Sequence, residues 1–591
     1  MFNLKSPFQP IDCALADRIC QWHQSDDALL WQTIAATSLA LQQGHSCLNL
    51  TLCQHEPPFH QMELYGGENF PTAAQWYERL SAFNLDPSSN SPLILDDQRV
   101  YLRRYWQFES ELVRFFKRQR QTTHDLTPAQ IKKAKQLLMD YFPNSGQQPD
   151  HQKLAAINSL FGNLNIIVGG PGTGKTYTVT RIMALLASLS DHPLDIKLAA
   201  PTGKAAQRLG EAIREAKLQM NLDMLLTAVI PDDAQTIHRL LGVIPNHIQF
   251  RHHADNPIEA DVLLIDEGSM VDLPLMTRLC RAIKPTTRLI LLGDADQLPS
   301  VAAGSVLGDL VSRPHPGYST DRAQAIHQLD SQFPVQTSSA PADHVSELIH
   351  SRRFDGQSGI GVLARDVIAG DYPSSWSRFA QFDDVTQIAT DTLSEQVRHW
   401  IQQYYAAIAS QPTLPEAFAQ LKTFRILCAV KDGDFGVDHI NEVIRKQLDR
   451  LRQPFYKGQP IMVTQNHYGL KLFNGDIGLV WPDGNGQLLA WFEAQDGYRP
   501  VALGRLPATE TVYAMTIHKT QGSEFNHVAM VLPPIPQALI TRELLYTGLT
   551  RAKRQFTLIA DEKSWRHGVQ TKVERWAGLA ERLADQVNDC H

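Results

Sequence analysis

The eight residues GGPGTGKT at 169–176 constrain this chain more than any other feature. They follow the apolar run Leu164-Asn165-Ile166-Ile167-Val168 and lead into Tyr177-Thr178-Val179-Thr180-Arg181-Ile182-Met183, so the order is strand, glycine turn, helix. The spacing Gly169-x4-Gly174-Lys175-Thr176 completes the phosphate-loop pattern in the context it requires. Glycines let successive backbone N–H groups turn toward phosphate oxygens, and the next helix points its positive end at the same place. The cradle is expected to run through Gly169, Gly170, Pro171, Gly172, Thr173 and Gly174. Lys175 should reach the β- and γ-phosphates, and the Thr176 hydroxyl should bind magnesium.

Magnesium also needs a carboxylate at the end of a neighbouring strand, and Val262-Leu263-Leu264-Ile265-Asp266-Glu267 supplies two. Asp266 would hold the metal and Glu267 would activate the attacking water, the alternative being a solvated loop end. A further strand, Leu289-Ile290-Leu291-Leu292-Gly293, ends in Asp294-Ala295-Asp296-Gln297. Gln297 there is either a γ-phosphate contact or an ordinary loop amide.

Strands near 164–169, 196–200, 260–266 and 287–293 alternate with helices, the pattern of a parallel sheet covered on both faces. A second alternating region runs from Phe424–Val430 to Gln555–Ala560. Short strands and turns such as Pro482-Asp483-Gly484-Asn485-Gly486 interrupt it, which predicts a β-rich insertion over about 455–515. The stretch 312–343, rich in Pro, Ser, Gln and Asp, reads as a mobile surface insertion.

Length and composition bound the rest. A chain of 591 residues predicts about three to five domains, and 43% apolar with 20% charged residues is globular, not disordered. No run approaches ~18 apolar residues and no signal-peptide core follows Met1, so no membrane association and a cytoplasmic location are expected. A net charge of -7 argues against a generally basic coat, although not against a local basic channel. Seven cysteines without CxxC pairs indicate neither a disulfide framework nor a zinc site. Cys47 and Cys53 read as buried strand thiols, with metal binding as the alternative.

Residues 1–118 read as a separate, mainly helical module, with a helix over 29–43 and a strand over 47–53. It ends in an amphipathic helix whose face is Tyr105, Phe108, Leu112 and Phe115, either packed on a neighbour or presented to DNA. Residues 119–149 form a linker with one helix, started by the cap and first-turn proline of Thr127-Pro128 and closed by a second polar joint at 143–149. Asp150 can cap the helix that holds Gln152 to Leu160.

Seven stretches, in order, resemble the motifs of superfamily 1 helicases. They are APTGKAA at 200–206, QTIHRLLG at 235–242, DEGSMVD at 266–272, GDADQLP at 293–299, SRRF at 351–354, TIHKTQGSEF at 516–525 and YTGLTRA at 546–552. The resemblance is closest to the RecD family, the alpha subunits of exodeoxyribonuclease V, or RecBCD, complexes. It implies an α/β fold of two RecA-like motor domains with parallel sheets, 150–345 and 346–591, with an SH3-like β-rich insertion in the second. It implies an ATP-dependent 5'-to-3' DNA helicase that unwinds double-strand-break ends for recombination repair. ATP and Mg2+ are the implied cofactors, and single-stranded DNA with RecB-like and RecC-like subunits the implied partners.

By the same resemblance Gln152 is similar to the glutamine that reads adenine, and Glu524 joins the nucleotide site. Arg353 and Arg551 resemble the arginines that reach the γ-phosphate from the second motor domain. Thr202, His238, His518 and Thr520 resemble residues that line the single-strand path. The short first module, with Tyr101-Leu102-Arg103-Arg104-Tyr105-Trp106, resembles the one that docks on the RecC partner. Gly268 stands where the family commonly has alanine.

Other classes remain as readings. The chain is alternatively a stand-alone RecD-like helicase, or a regulatory ATP-binding subunit with an idle motor. A small-molecule kinase does not need a glutamine before the loop or the block at 516–525. No cluster of Asp, Glu and Lys suited to DNA cleavage stands apart from the ATPase carboxylates, so nuclease activity is expected in a partner.

Overall fold

A computed structural model of the chain describes residues 7–53, 71–143, 150–220, 222–244, 247–354, 358–449, 453–494, 497–535 and 537–584. The first six residues, most of the joint at 143–149 and Cys590 lie outside them.

Six parallel strands form the first motor sheet, in the order Gln235–Thr236, Ile196–Ala200, Val262–Ile265, Arg288–Gly293, Leu164–Gly169 and Val345–Leu348. The central strands are continuous apolar runs because helices cover both faces, and Ile166, Ile167, Leu264 and Leu291 are fully buried. Four of these strands match the expected ones, whereas Gln235–Thr236 and Val345–Leu348 were not legible as strands. Two residues are too short for a periodicity, and Val345-Ser346-Glu347-Leu348 carries polar residues inside the sheet.

A second parallel sheet has the order Val385–Ile388, Ala552–Ile559, Phe525–Val531, Phe424–Cys428 and Ala514–Thr516. Between its members lies an antiparallel five-stranded sheet whose strands run from Pro460–Val463 to Thr509–Thr511. Its own small core holds Ile461, Val480, Phe492 and Val501.

The segment at 312–343 departs from the expectation of a mobile insertion. Ser319 caps a helix, Thr320–Leu329, whose Ile326 and Leu329 join Tyr318 and Phe333 in the core beneath the first motor sheet. The buried Arg322 guanidinium donates to the Asn158 side-chain oxygen at 2.7 Å and to the carbonyls of Asn158 and Phe161. Composition misled here because the apolar residues are few and spaced at helical intervals among polar ones.

The first module contains helices Pro10–His23 and Ala28–Gln42 against a three-stranded sheet of Leu48–Asn49, Arg99–Leu102 and Leu93–Asp96. Cys47 and Cys53 are buried free thiols, with burial raising both pKa values, but the strand there covers only two residues. The helix Arg103–Gln121 runs past 118 and places Phe108, Leu112 and Phe115 in one core with Leu289 and Leu291 of the motor sheet. That is the packed alternative for its apolar face, since the face is buried.

Residues 576–583 return to this junction. Trp576 stacks on His45 with centroids 4.1 Å apart, and its carbonyl accepts from Ser46 N–H at 2.9 Å. The wholly buried Glu109 accepts from Tyr101, from Ser46 and from Gly578 N–H, and burial raises its pKa. Leu579 and Leu583 complete the core, so residues beyond the last strand of the second motor sheet staple the first module to the first motor domain.

Candidate nucleotide site between the motor domains

Because the first sheet is parallel, every strand delivers its following loop to one edge, the place where open α/β sheets bind ligands. The phosphate loop, Thr202, Asp266, Asp294 and Ser351 all follow strands of that sheet. Gly172 and Gly174 adopt φ of +78° and +83°, a region that L side chains rarely enter. A Cβ on Gly172 would lie 2.4 Å from Arg353 Cβ, and one on Gly174 would lie 2.4 Å from Gln152 Nε2. Only glycine fits either place.

Lys175 Nζ donates to Gly169 O at 2.6 Å and Gly170 O at 3.3 Å, so its ammonium lies along the loop. Thr176 stands half-buried in the first turn of the helix Lys175–Leu189. Asp266 is half-buried, and burial followed by the charge of Glu267 raises its pKa. Glu267 has φ +52°, uncommon for a non-glycine residue and a sign of backbone held against its preference beside Asp266. A Cβ on Gly268 would sit 3.0 Å from Leu292 O, so glycine relieves crowding at the position where alanine is usual.

The second motor domain closes over this edge. Arg353 rests on the phosphate loop: Ser351 Oγ donates to Pro171 O at 2.8 Å, and Arg352 N–H donates to Gly172 O at 2.8 Å. Arg353 Nη2 donates to Glu524 Oε1 at 2.6 Å, and Lys553 lies 3.2 Å from the other Glu524 oxygen. Burial alone would raise the Glu524 pKa, but Arg353, Arg208 and Lys553 outweigh it and hold the carboxyl at about 2. Arg551 is buried, with Nε donating to Thr547 O at 3.0 Å and Nη1 to Ser523 O at 3.3 Å. Burial lowers its pKa, and the charges of Glu267, Glu524 and Asp294 oppose that shift.

Tyr546 OH donates to Asp294 Oδ2 at 3.0 Å and would touch a Cβ on Gly170 at 2.8 Å. Two buried polar atoms at this edge, Arg353 Nη1 and Gln297 Oε1, have no hydrogen-bond partner among the described residues. An unpaired donor and an unpaired acceptor beside a glycine cradle fit a phosphate chain with its attacking water. Gln152 Nε2 donates to Thr173 O at 2.8 Å, and Arg352 donates to its oxygen at 3.3 Å. The Arg181 and Arg352 guanidinium carbons lie 3.3 and 5.0 Å from the centroid of the Tyr177 ring.

The residues read as strand contacts are spread wider. Thr202 caps the helix Gly203–Met220 through Ala205 N–H at 3.2 Å, and Gly203 faces the Phe473 ring of the β-rich insertion. His238 is exposed beside Phe250, and His518 is half-buried with a pKa lowered by burial and by Arg575. Thr520 differs from the expectation: it is fully buried and donates to Ile517 O at 2.6 Å, so its hydroxyl locks its own turn and does not face solvent. Lys204 donates to Ser523 Oγ at 2.6 Å across the two domains, and burial, then Arg208 and Arg425, lowers its pKa to about 7.

Sequence reasoning passed over Tyr177, Lys204, Arg352 and Tyr546. Tyr177 and Arg352 adjoin assigned residues, while Lys204 and Tyr546 lie inside quoted motifs, so position was the available signal.

Three family models match the chain: the AAA domain over 152–303, the UvrD-like helicase C-terminal domain over 511–559, and the RecBCD enzyme subunit RecD, N-terminal domain, over 5–101. The RecBCD enzyme subunit RecD of Haemophilus influenzae is 37% identical over 542 residues, covering 85% of this chain and 83% of that protein. Its counterpart from Mycobacterium tuberculosis is 36% identical over 605 residues, covering 98% and 96%. The ATP-dependent RecD2 DNA helicase of Deinococcus radiodurans is 29% identical over 442 residues, covering 73% of this chain and 52% of the relative.

Proposed function

The chain belongs to the RecD family of RecBCD enzyme subunits, and from that premise we propose that it is an ATP-driven 5'-to-3' DNA helicase working with RecB-like and RecC-like subunits. It opens duplex ends at double-strand breaks, in the cytoplasm with the DNA. The observation that carries the reading is the meeting of the Arg353–Glu524 pair and Tyr546 of the second motor domain with the phosphate-loop edge of the first. A nucleotide bound there touches both domains, so its hydrolysis changes what holds them together.

Each residue has a role in that cycle. Backbone N–H groups of the loop from Gly172 to Thr176 receive the phosphates, and Lys175 turns from the loop carbonyls to the β- and γ-oxygens. Thr176 and Asp266 would hold magnesium, which would supply positive charge to the phosphate oxygens. Glu267 accepts the proton of the attacking water, and the free carbonyl of Gln297 orients that water. Arg353 and Arg551 offset the charge that builds on the transferred group, a role worth about 10³ to 10⁵ in rate in related sites. Gln152 and the neighbouring Tyr177 face the base.

Thr202, His238 and His518 line the strand path in this reading, while Thr520 shapes it. Grip on backbone and bases there needs no sequence preference. Alternate closing and opening of the domains then moves the chain along one strand.

A subunit role is favoured over a stand-alone helicase by the match of residues 5–101 to the RecD N-terminal model and by the partial coverage of the RecD2 relative. Lys175→Gln should abolish ATP hydrolysis stimulated by single-stranded DNA. Stimulated hydrolysis at the wild-type level in that variant rules the mechanism out. A tagged full chain drawn from its own cells should bring two large partner chains, and the chain alone with magnesium should leave DNA undegraded.

A further inference from the structure

The loop Asp294–Leu298 is held from the opposite domain at three points. Tyr546 OH donates to Asp294 Oδ2 at 3.0 Å, Thr547 Oγ1 accepts from Leu298 N–H at 2.9 Å, and Gln521 Nε2 donates to Leu298 O at 3.1 Å. Asp294 is buried, and its Oδ2 also accepts from Gln297 Nε2 at 3.0 Å, while Oδ1 accepts from Asp296 N–H at 3.0 Å. The bond from Nε2 settles which way the Gln297 amide points. Its Oε1 is left buried and without a partner among the described residues.

Tyr546 belongs to the helix Arg542–Leu549 of the second domain, and its phenol also reaches Gly170 of the phosphate loop. Separating the domains would therefore remove a donor from Asp294 and both clamps from Leu298 at once. Gln297 would then lose the carboxylate geometry that aims its carbonyl, because a buried carboxylate short of one donor seeks another.

We propose that Tyr546 is a positioning residue that aligns Gln297 through Asp294 only when the motor domains are closed, so that hydrolysis waits for closure. The inference rests on the ATPase reading above and assigns a duty to a side chain outside the phosphate contacts. Burial and the adjacent Asp294 raise the phenol pKa well above its ordinary value, so Tyr546 remains a donor at any working pH.

Tyr546→Phe keeps the ring and removes only the donor. In the full chain, kcat for strand-stimulated ATP hydrolysis should fall about 10- to 100-fold, the size expected for one hydrogen bond to a charged acceptor. KM for ATP should stay within about 3-fold, since ground-state binding does not use this bond. Affinity for ADP with aluminium fluoride should fall with kcat while affinity for ADP does not, a readout independent of turnover. In a Gln297→Ala background the same change should add nothing, because both substitutions break one chain of contacts.

Wild-type kcat in Tyr546→Phe, equal weakening of ADP and of the fluoride complex, or a full additive loss on Gln297→Ala each overturns the inference. Thr547→Val, which removes the acceptor for Leu298 N–H, provides a second route with the same expected split. A wild-type chain without strand-stimulated hydrolysis would instead count against the functional reading. Any selective change in fluoride-complex affinity would still report on Tyr546.

Discussion

Arg353 and Glu524 form a 2.6 Å ion pair directly against Gly172 of the phosphate loop, with both side chains mostly shielded from solvent. An arginine suited to phosphate is thus neutralised by a carboxylate from the same domain while it lies on the nucleotide edge. Exchange of Glu524 for phosphate as its partner is a physical step by which nucleotide loosens one contact and tightens another.

Removing that carboxylate makes a pH-dependent prediction. Glu524 titrates at about 2 in the folded chain, below its ordinary value of 4.5, so its contribution is present above about pH 4.5 and is lost as pH falls toward 2. Glu524→Gln should lower stability by on the order of 2–3 kcal/mol near pH 7. Thermal melts should show the gap to wild type narrowing as pH is taken from 5 toward 3. A constant gap across that range would show that the charge is not what matters.

The glycine turn allows steric and ligand effects to be separated. Gly174→Ala places a Cβ at φ +83° and 2.4 Å from Gln152 Nε2, whereas Gly433→Ala meets φ +86° with nothing within 4 Å. Both should lose roughly 1–2 kcal/mol of stability from backbone strain. Only Gly174→Ala should abolish binding of a fluorescent ATP analogue, and equal binding by the two variants would remove the cradle from the site.

Arg551 is placed by a fork, Nε to Thr547 O and Nη1 to Ser523 O. Lysine offers no second donor in that geometry. Arg551→Lys should therefore lower strand-stimulated kcat by about 10³-fold with little change in KM for ATP. Steady-state kinetics decide this, and a loss confined to KM would make Arg551 a ground-state contact.

Trp576 ties the chain end to the first module through its stack on His45 and the bond from Ser46. Trp576→Ala should cost about 3–5 kcal/mol at that junction, the range for a buried aromatic. Nucleotide affinity should be unchanged, and the first module should become sensitive to protease before the motor domains do. Simultaneous cleavage of all parts would mean that the staple is not local.

Much of this was readable in the chain itself. GGPGTGKT predicts a strand, a turn at positive φ and a helix, and Gly172 and Gly174 adopt that turn. The amphipathic face at Phe108, Leu112 and Phe115 was legible from its spacing, although not that it would be buried against the motor sheet. The helix Thr320–Leu329 was hidden because a polar composition obscured its three apolar anchors, Ala323, Ile326 and Leu329. The inward turn of the Thr520 hydroxyl was not legible because motif position says nothing of whether a hydroxyl faces in or out.

The sequence by itself determined the chemistry at each strand end, because glycine conformation, helix dipoles and apolar periodicity act over a few neighbouring residues. The tertiary structure alone decided which groups meet: Lys204 and Ser523 are 319 residues apart, and Tyr546 and Asp294 are 252 apart. Such pairs depend on how two separately folded sheets are set against each other, and that placement follows from burial across the whole interface.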